Sequence, residues 1–179
     1  MAAELPPLKL ERARFVTHVD ALPETEWGAN GAERVAFAVA TNPGAEPAPL
    51  AKVASGGELA RFMLALKLVL ARTSPVATIV FDEVDADVGG ATAAAVGERL
   101  ARLARALQVL VVTHSPQVAA RGAHHWQVSK GDDGKGGAAT RVVALVAAGR
   151  REEIARMLAG AKVTDQARAA ADSLLAAAG

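Results

Sequence analysis

Apolar and polar positions alternate in part along residues 12–19 (RARFVTHV) and 34–40 (RVAFAVA), and the intervening LPETEWGANGAE is rich in turn formers. That pattern predicts an antiparallel hairpin. A proline-rich connector, TNPGAEPAPL, follows. From Glu58, the residues Leu59, Phe62, Met63, Leu66, Val69 and Leu70 recur at spacings of three and four, which predicts an amphipathic helix opened by Ser55-Gly56-Gly57. Pro75 helps to end that connection, and ATIVF (77–81) is a continuous apolar run of the kind found in a parallel strand buried on both faces. An alanine-rich helical pattern over 91–107 and a second apolar run, QVLVVT (108–113), complete a strand–helix–strand unit, for which a right-handed parallel crossover is expected. After His114-Ser115-Pro116 a short helix is expected to reach Ala120. HHWQVSK and TRVVALV then flank the glycine-rich GDDGKGGAA as a second hairpin, and helices near 150–159 and 164–177 close the chain. The element order predicts an α/β fold: a parallel sheet core with flanking helices and antiparallel hairpins.

Composition narrows the classes. With 179 residues and 51% hydrophobic content, one domain spanning 1–179 is expected, large enough for a real core. The 20 basic and 19 acidic residues nearly cancel, so no whole-chain basic field points to nucleic acid. Aromatic residues are only 3%, which argues against base-stacking platforms. Cysteine is absent, removing disulfides, thiolate nucleophiles and cysteine-type zinc sites and fitting a reducing compartment. The first stretch, MAAELPPLKLERARF, has prolines and charges where an export signal needs an apolar core, and no run reaches the roughly 20 apolar residues that span a bilayer. A cytoplasmic chain without a membrane partner is expected.

Candidate chemistry gathers in VFDEVDADVGG (80–90). A parallel strand ending in Asp-Glu puts two carboxylates at the carboxyl edge of a sheet, where open α/β folds place ligands. Asp82 could hold Mg²⁺ directly or through water, and Glu83 could orient and deprotonate an attacking water, as in-line phosphoryl transfer requires. A solvated acidic loop would read the same way. Ser55-Gly56-Gly57-Glu58 offers a helix N-terminus with exposed N–H groups, close backbone approach and a hydroxyl donor, all anion-binding parts, although a serine N-cap alone accounts for them equally. His114, after the second strand, could donate to a phosphate oxygen at the same edge, or be structural.

Taken in order, LAKVASGGELARFMLALKLVLAR, TIVFDEVDADVGGATAAAVGERLARLA and QVLVVTHSPQVAARGAHHW resemble the ATP-binding-cassette ATPases of the SMC-like type, over about 50–126. The resemblance implies the C-terminal lobe of an ABC/SMC-type P-loop ATPase head, acting in DNA double-strand-break repair and recombination. It implies ATP and Mg²⁺ as cofactors, with Ser55, Gly56, Gly57 and Glu58 as the signature motif that contacts the γ-phosphate of ATP on an opposite head. Asp82 and Glu83 would be the Walker B aspartate and catalytic base, Asp85 part of the D-loop crossing the dimer interface, and His114 the switch histidine. The family often has glycine where this chain has Asp87 and leucine where it has Ser115, so neither is given a catalytic role.

Nucleotide binding in such heads also needs Gly-x-x-x-x-Gly-Lys-Ser/Thr, the Walker A loop. It does not occur here. In GDDGKGG (131–137), Gly134-Lys135 would need glycine at the position of Ser129 and a hydroxyl at that of Gly136. The implied partners are therefore an amino-terminal Walker A head lobe on the same or a separate chain, a second head in a head–head dimer, and DNA held through the full assembly. The isolated chain is expected to be inactive. A catalytically inert interaction lobe, or the head lobe of another SMC-type chromosome-organising ATPase, are the competing readings. His124-His125 would point to opposite strand faces and so make a poor metal pair. Ser115 beside His114 lacks a nucleophile elbow. The arginines of 99–105 and Arg121 could touch DNA or simply form a solvated face.

Overall fold

The computed structural model describes residues 1–53, 56–70, 76–82, 84–86, 88–132, 137–160 and 162–178. Strand β1 (Arg14–Ala21) pairs antiparallel with β2 (Glu33–Ala40), and β2 with the two-residue β3 (Ala48–Pro49). The short helix α1 (Leu50–Val53) and α2 (Gly56–Leu70) follow. Strand β4 (Thr78–Asp82), the crossover helix α3 (Gly90–Leu103) and β5 (Gln108–Val112) form the parallel unit, with Thr78 opposite Gln108 and Asp82 opposite Val112. Then come α4 (Pro116–Ala119), the hairpin β6 (Trp126–Asp132) and β7 (Ala138–Ala144), and helices α5 (Ala147–Ala159) and α6 (Asp165–Ala176). The expected α/β architecture, parallel pair and two hairpins are all present. Pro75 and the centre of the glycine-rich turn at 133–136 lie outside the described residues.

The main core lies between α2, α3 and one face of the β4–β5 pair. Phe62 and Leu64 of α2, Phe81 of β4, and Val96, Leu100 and Leu103 of α3 meet there, and Val84 and Val118 close its edge. Burying each of the larger side chains stabilises the fold by about 1.5–3 kcal/mol. The first ten residues, informative in sequence only for what they exclude, fold as two 3₁₀ turns that insert Leu5, Leu8 and Leu10 into this core. Glu4 then pairs with Arg99, at 3.5 Å, and with Arg102. Two arginines of the candidate DNA-contact run are thus engaged within the fold.

Three expectations need revision. Helix α3 ends at Leu103 instead of 107, because bonds from Arg105 N to Arg102 O (3.3 Å) and Ala106 N to Leu103 O (3.0 Å) tighten the chain into a turn that feeds β5. Helix α2 is apolar nearly all round, so periodicity misplaces its buried face. Phe62, Leu64 and Ala65 are buried, whereas Val69 and Leu70 are exposed. Most consequentially, the apolar strands are covered on one side only. Ile79, Phe81, Val109 and Val111 face the core, while Val80 is 62% and Val112 59% exposed. Among the described residues the sheet has two strands and no layer on its second face.

Where α3 meets α4, Gly97 is a packing requirement. A Cβ there would meet the Gln117 carbonyl oxygen at 3.1 Å and Arg121 Cγ at 3.0 Å. A smaller apolar cluster of Ala120, Ile154, Ala155, Ala167 and Ala171 joins α5 and α6.

Because those side chains are small, polar contacts supplement the α5–α6 junction. Arg151 grips Asp172 through two bonds of 2.6 and 2.7 Å, and Arg168 reaches Glu152 at 2.8 Å. The largely buried Glu153 accepts bonds from Arg156 at 2.8 and 2.6 Å and from Gln127 of β6 at 2.6 Å. The bonds from Arg156 are the main cause holding the Glu153 carboxyl below its ordinary value of 4.5, against the opposing effect of burial. Glu152 and Asp172 are lowered first by their bonds to Arg168 and Arg151. A carboxyl whose folded pKa is depressed contributes stability above its unfolded pKa and loses it as pH falls through the folded value. The thermal midpoint should therefore fall on acidification below about pH 4.5, and Glu153→Gln should fall less over the same interval, as measured by circular dichroism.

Candidate functional site

The parallel pairing of β4 and β5 brings two chain exits to one edge. Strand alternation places the exposed Asp82 on the same open face as Val80, in register with Val112. His114, two residues beyond Val112, is also exposed at this edge. The next carboxylate, Glu83, lies outside the described residues, as do Ser55 and Asp87.

The turn after β4 is fixed from two sides. Val84 is fully buried in the main core. Asp85 is also fully buried, and its Oδ2 accepts a hydrogen bond from Thr113 Oγ1. That hydroxyl in turn accepts from the Ser115 backbone N–H at 2.9 Å, and Ser115 Oγ donates to Gln117 Oε1 at 2.9 Å. The exit of β4 is thereby tied to the exit of β5, and His114 sits between the two anchored residues Thr113 and Ser115. Asp85 Oδ1 has no hydrogen-bond partner among the described residues. In this conformation Asp85 is a brace within the fold and is not open to a ligand.

On its other side the turn meets the first turns of α2. A Cβ on the buried Gly57 would stand 2.9 Å from the Ala86 carbonyl oxygen, a distance that real Cβ atoms essentially never show. Only glycine allows this approach. Arg61, one helical turn further and also buried, donates from Nη1 to the same carbonyl at 3.4 Å. Among the described residues nothing stands within 4 Å of a Cβ on Gly56, and Glu58 is half-buried in the first turn. The structure thus brings Gly57, Asp85 and Thr113 onto one short turn, from three segments separated in sequence. Thr113 and Arg61 were not singled out in the sequence. The Thr-His pair ending QVLVVTH was visible, but nothing local showed that the threonine would bind Asp85.

The donor set suits a hard cation only as part of a larger site. Asp82 supplies one exposed carboxylate at the sheet edge, and Mg²⁺ is commonly held by one or two carboxylates together with phosphate oxygens and water. Among the described residues no group of three His, Cys, Asp or Glu is placed to hold a metal unaided. No phosphate-cradling Gly-Lys loop accompanies Asp82 among the described residues.

These features define a class. The fold is that of an SMC head domain: the chain matches the Smc head domain with a coiled coil and joint from Pyrococcus yayanosii with a TM-score of 0.63 and 20% identity, over 86% of this chain and 27% of that one. In sequence the chain is RecN-like over most of its length. It is 44% identical over 172 residues to the DNA repair protein RecN of Rickettsia bellii, covering 96% of this chain and 31% of the relative. Against RecN of Streptomyces coelicolor it is 51% identical over 151 residues, covering 83% and 26%. The chain therefore spans less than a third of the length of these two relatives. No family model matches it.

Adding one methyl to each of two neighbouring glycines tests the close approach. Gly57→Ala forces the α2 entry away from Ala86, an overpacking cost of about 1–3 kcal/mol that works against the helix-propensity gain of about 1 kcal/mol. Gly56→Ala has the gain without the clash. Denaturant unfolding should show Gly57→Ala less stable than the parent and Gly56→Ala at least as stable.

Proposed function

We propose that this chain is the C-terminal lobe of an SMC-like ATPase head that couples ATP binding and hydrolysis to DNA double-strand-break repair and recombination, in the bacterial cytoplasm at the nucleoid. The observation that carries the reading is the convergence of Gly57, Asp85 and Thr113 on the turn after β4, which gathers the SGGE helix, the Asp-Glu strand and the Thr-His strand at one edge. The open face of β4–β5 supports it as well, since an apolar parallel strand pair covered on one side suits a lobe completed by a further layer packed on the other. The RecN relatives supply the biological setting.

In this reading residues 1–179 act as one lobe, and an amino-terminal lobe carrying the Walker A loop provides the phosphate cradle. Asp82 would hold Mg²⁺, which would supply charge neutralisation on the transferring phosphoryl group. Glu83 would accept the proton of the attacking water, and His114 would donate a hydrogen bond to the γ-phosphate. Ser55, Gly56, Gly57 and Glu58 would serve ATP held by a second head, where the N–H groups at the start of α2 would favour its negative charge. Asp85, assigned to the segment that crosses the head–head interface, ties that segment to β5. DNA is held by the complete assembly. The absence of a Gly-x-x-x-x-Gly-Lys-Ser/Thr sequence favours a second reading for the chain by itself, an inert interaction lobe.

ATP turnover with Mg²⁺, measured for the chain alone and after mixing with a separately made Walker A lobe, separates the readings. The ATPase-lobe reading expects none alone, turnover on mixing, and a fall of about 10²–10⁴-fold with Glu83→Gln. Robust turnover by the chain alone would overturn it, and silence in both arms would favour the inert lobe.

A further inference from the structure

A cleft lies at the opposite end of α3. A crossover helix runs back against its strands, so the 14 residues of Gly90–Leu103 carry the chain about 20 Å from the carboxyl edge. There the turn after α3, the turn after α4, the start of α5 and the end of α6 border an open cleft of about 460 Å³, wide enough to admit a phosphate group. Alanines such as Ala101 and Ala104 keep it open, and three arginines line it: Arg105, Arg121 and Arg150.

The pairing of charges sets these three arginines apart from those of the helices around them. Every other arginine of α3, α5 and α6 pairs with a carboxylate: Arg99 and Arg102 with Glu4, Arg151 with Asp172, Arg156 with Glu153, and Arg168 with Glu152 and Asp165. Arg105, Arg121 and Arg150 have no carboxylate within 4.0 Å among the described residues. Arg150 is held in place by donating from Nη2 to the Ala120 carbonyl at 2.6 Å and the Ala119 carbonyl at 3.4 Å. Its Nε is buried with no hydrogen-bond partner among the described residues. The field of Arg150 reaches His125, whose proton affinity is lowered by burial and then by this arginine, against the opposite pull of Glu153. Arginine forks match phosphate oxygens in geometry and in charge, and small apolar walls let the ligand approach.

We propose that the cleft lined by Arg105, Arg121 and Arg150 binds a phosphate group, carried by a polynucleotide backbone or free in solution, at a site separate from the carboxyl edge of β4–β5. This does not depend on the ATPase reading. Its position on the far side of α3 distinguishes its ligand from a nucleotide at Asp82.

Fluorescence anisotropy with a short labelled DNA duplex, together with NMR titration of the arginine side chains by inorganic phosphate, tests the proposal. A backbone phosphate predicts that Arg105→Gln and Arg121→Gln each weaken duplex binding several-fold regardless of sequence, and each lower the slope of log affinity against log salt by about one. Lys130→Gln, an exposed lysine on β6, should do neither. Arg105→Lys and Arg121→Lys keep the charge and should retain most of the slope, which separates loss of a phosphate contact from loss of folding. Shifts of the Arg105 and Arg121 resonances with inorganic phosphate, without any change in duplex binding, would assign the site to free phosphate. No response in either arm, or an equal effect from Lys130→Gln, would overturn the proposal.

Discussion

The parallel pairing of β4 with β5 is the constraint on which the rest of the molecule hangs. It forces a helix between the strands, and α3 then provides the surface against which α2, α4 and the amino-terminal turns pack. It also fixes where chemistry can gather, because both strands release their chains at the same edge. Yet the pair is covered on one face only, with Val80 and Val112 open on the other. A strand pair of this composition suits a larger sheet, and the open face and the acidic edge are contiguous through Asp82.

The edge itself is built by two short-range devices. Thr113 bonds the fully buried Asp85, so the exits of the two strands move as a unit. Gly57 lets the backbone of α2 rest against Ala86, and Arg61 bonds the same carbonyl. A displacement at the start of α2 must therefore be felt at the turn after β4, and through Asp85 at the segment bearing His114. That chain of contacts links the start of α2 to the edge where both strands exit. The arginine cleft lies at the other end of α3 and shares none of these contacts.

Much of this was legible in the sequence. The two hairpins, the strand–helix–strand unit and the closing helices follow from periodicity and turn formers, and the order of SGGE, FDEVD and THS was enough to mark the class. What could not be read was how each apolar segment would be covered. A run such as TIVFD looks the same whether one or both faces are buried, and α2 carries leucines on two opposite sides, so its core face was set by tertiary packing. The engagement of Arg99 and Arg102 by Glu4 joins residues nearly a hundred positions apart, and the bond between Asp85 and Thr113 spans 28. Long-range polar pairs of this kind leave no local signature, and they turned candidate contact residues into parts of the fold.

In the function proposed above, the open face of β4–β5 is an internal surface of a complete head. Hydrogen exchange of the chain, alone and mixed with a Walker A lobe, tests it most directly. The account predicts that protection gained on mixing concentrates in 76–82 and 108–112, the strands that carry Val80 and Val112. Complex formation that left exchange in those two strands unchanged, with protection appearing elsewhere, would contradict it.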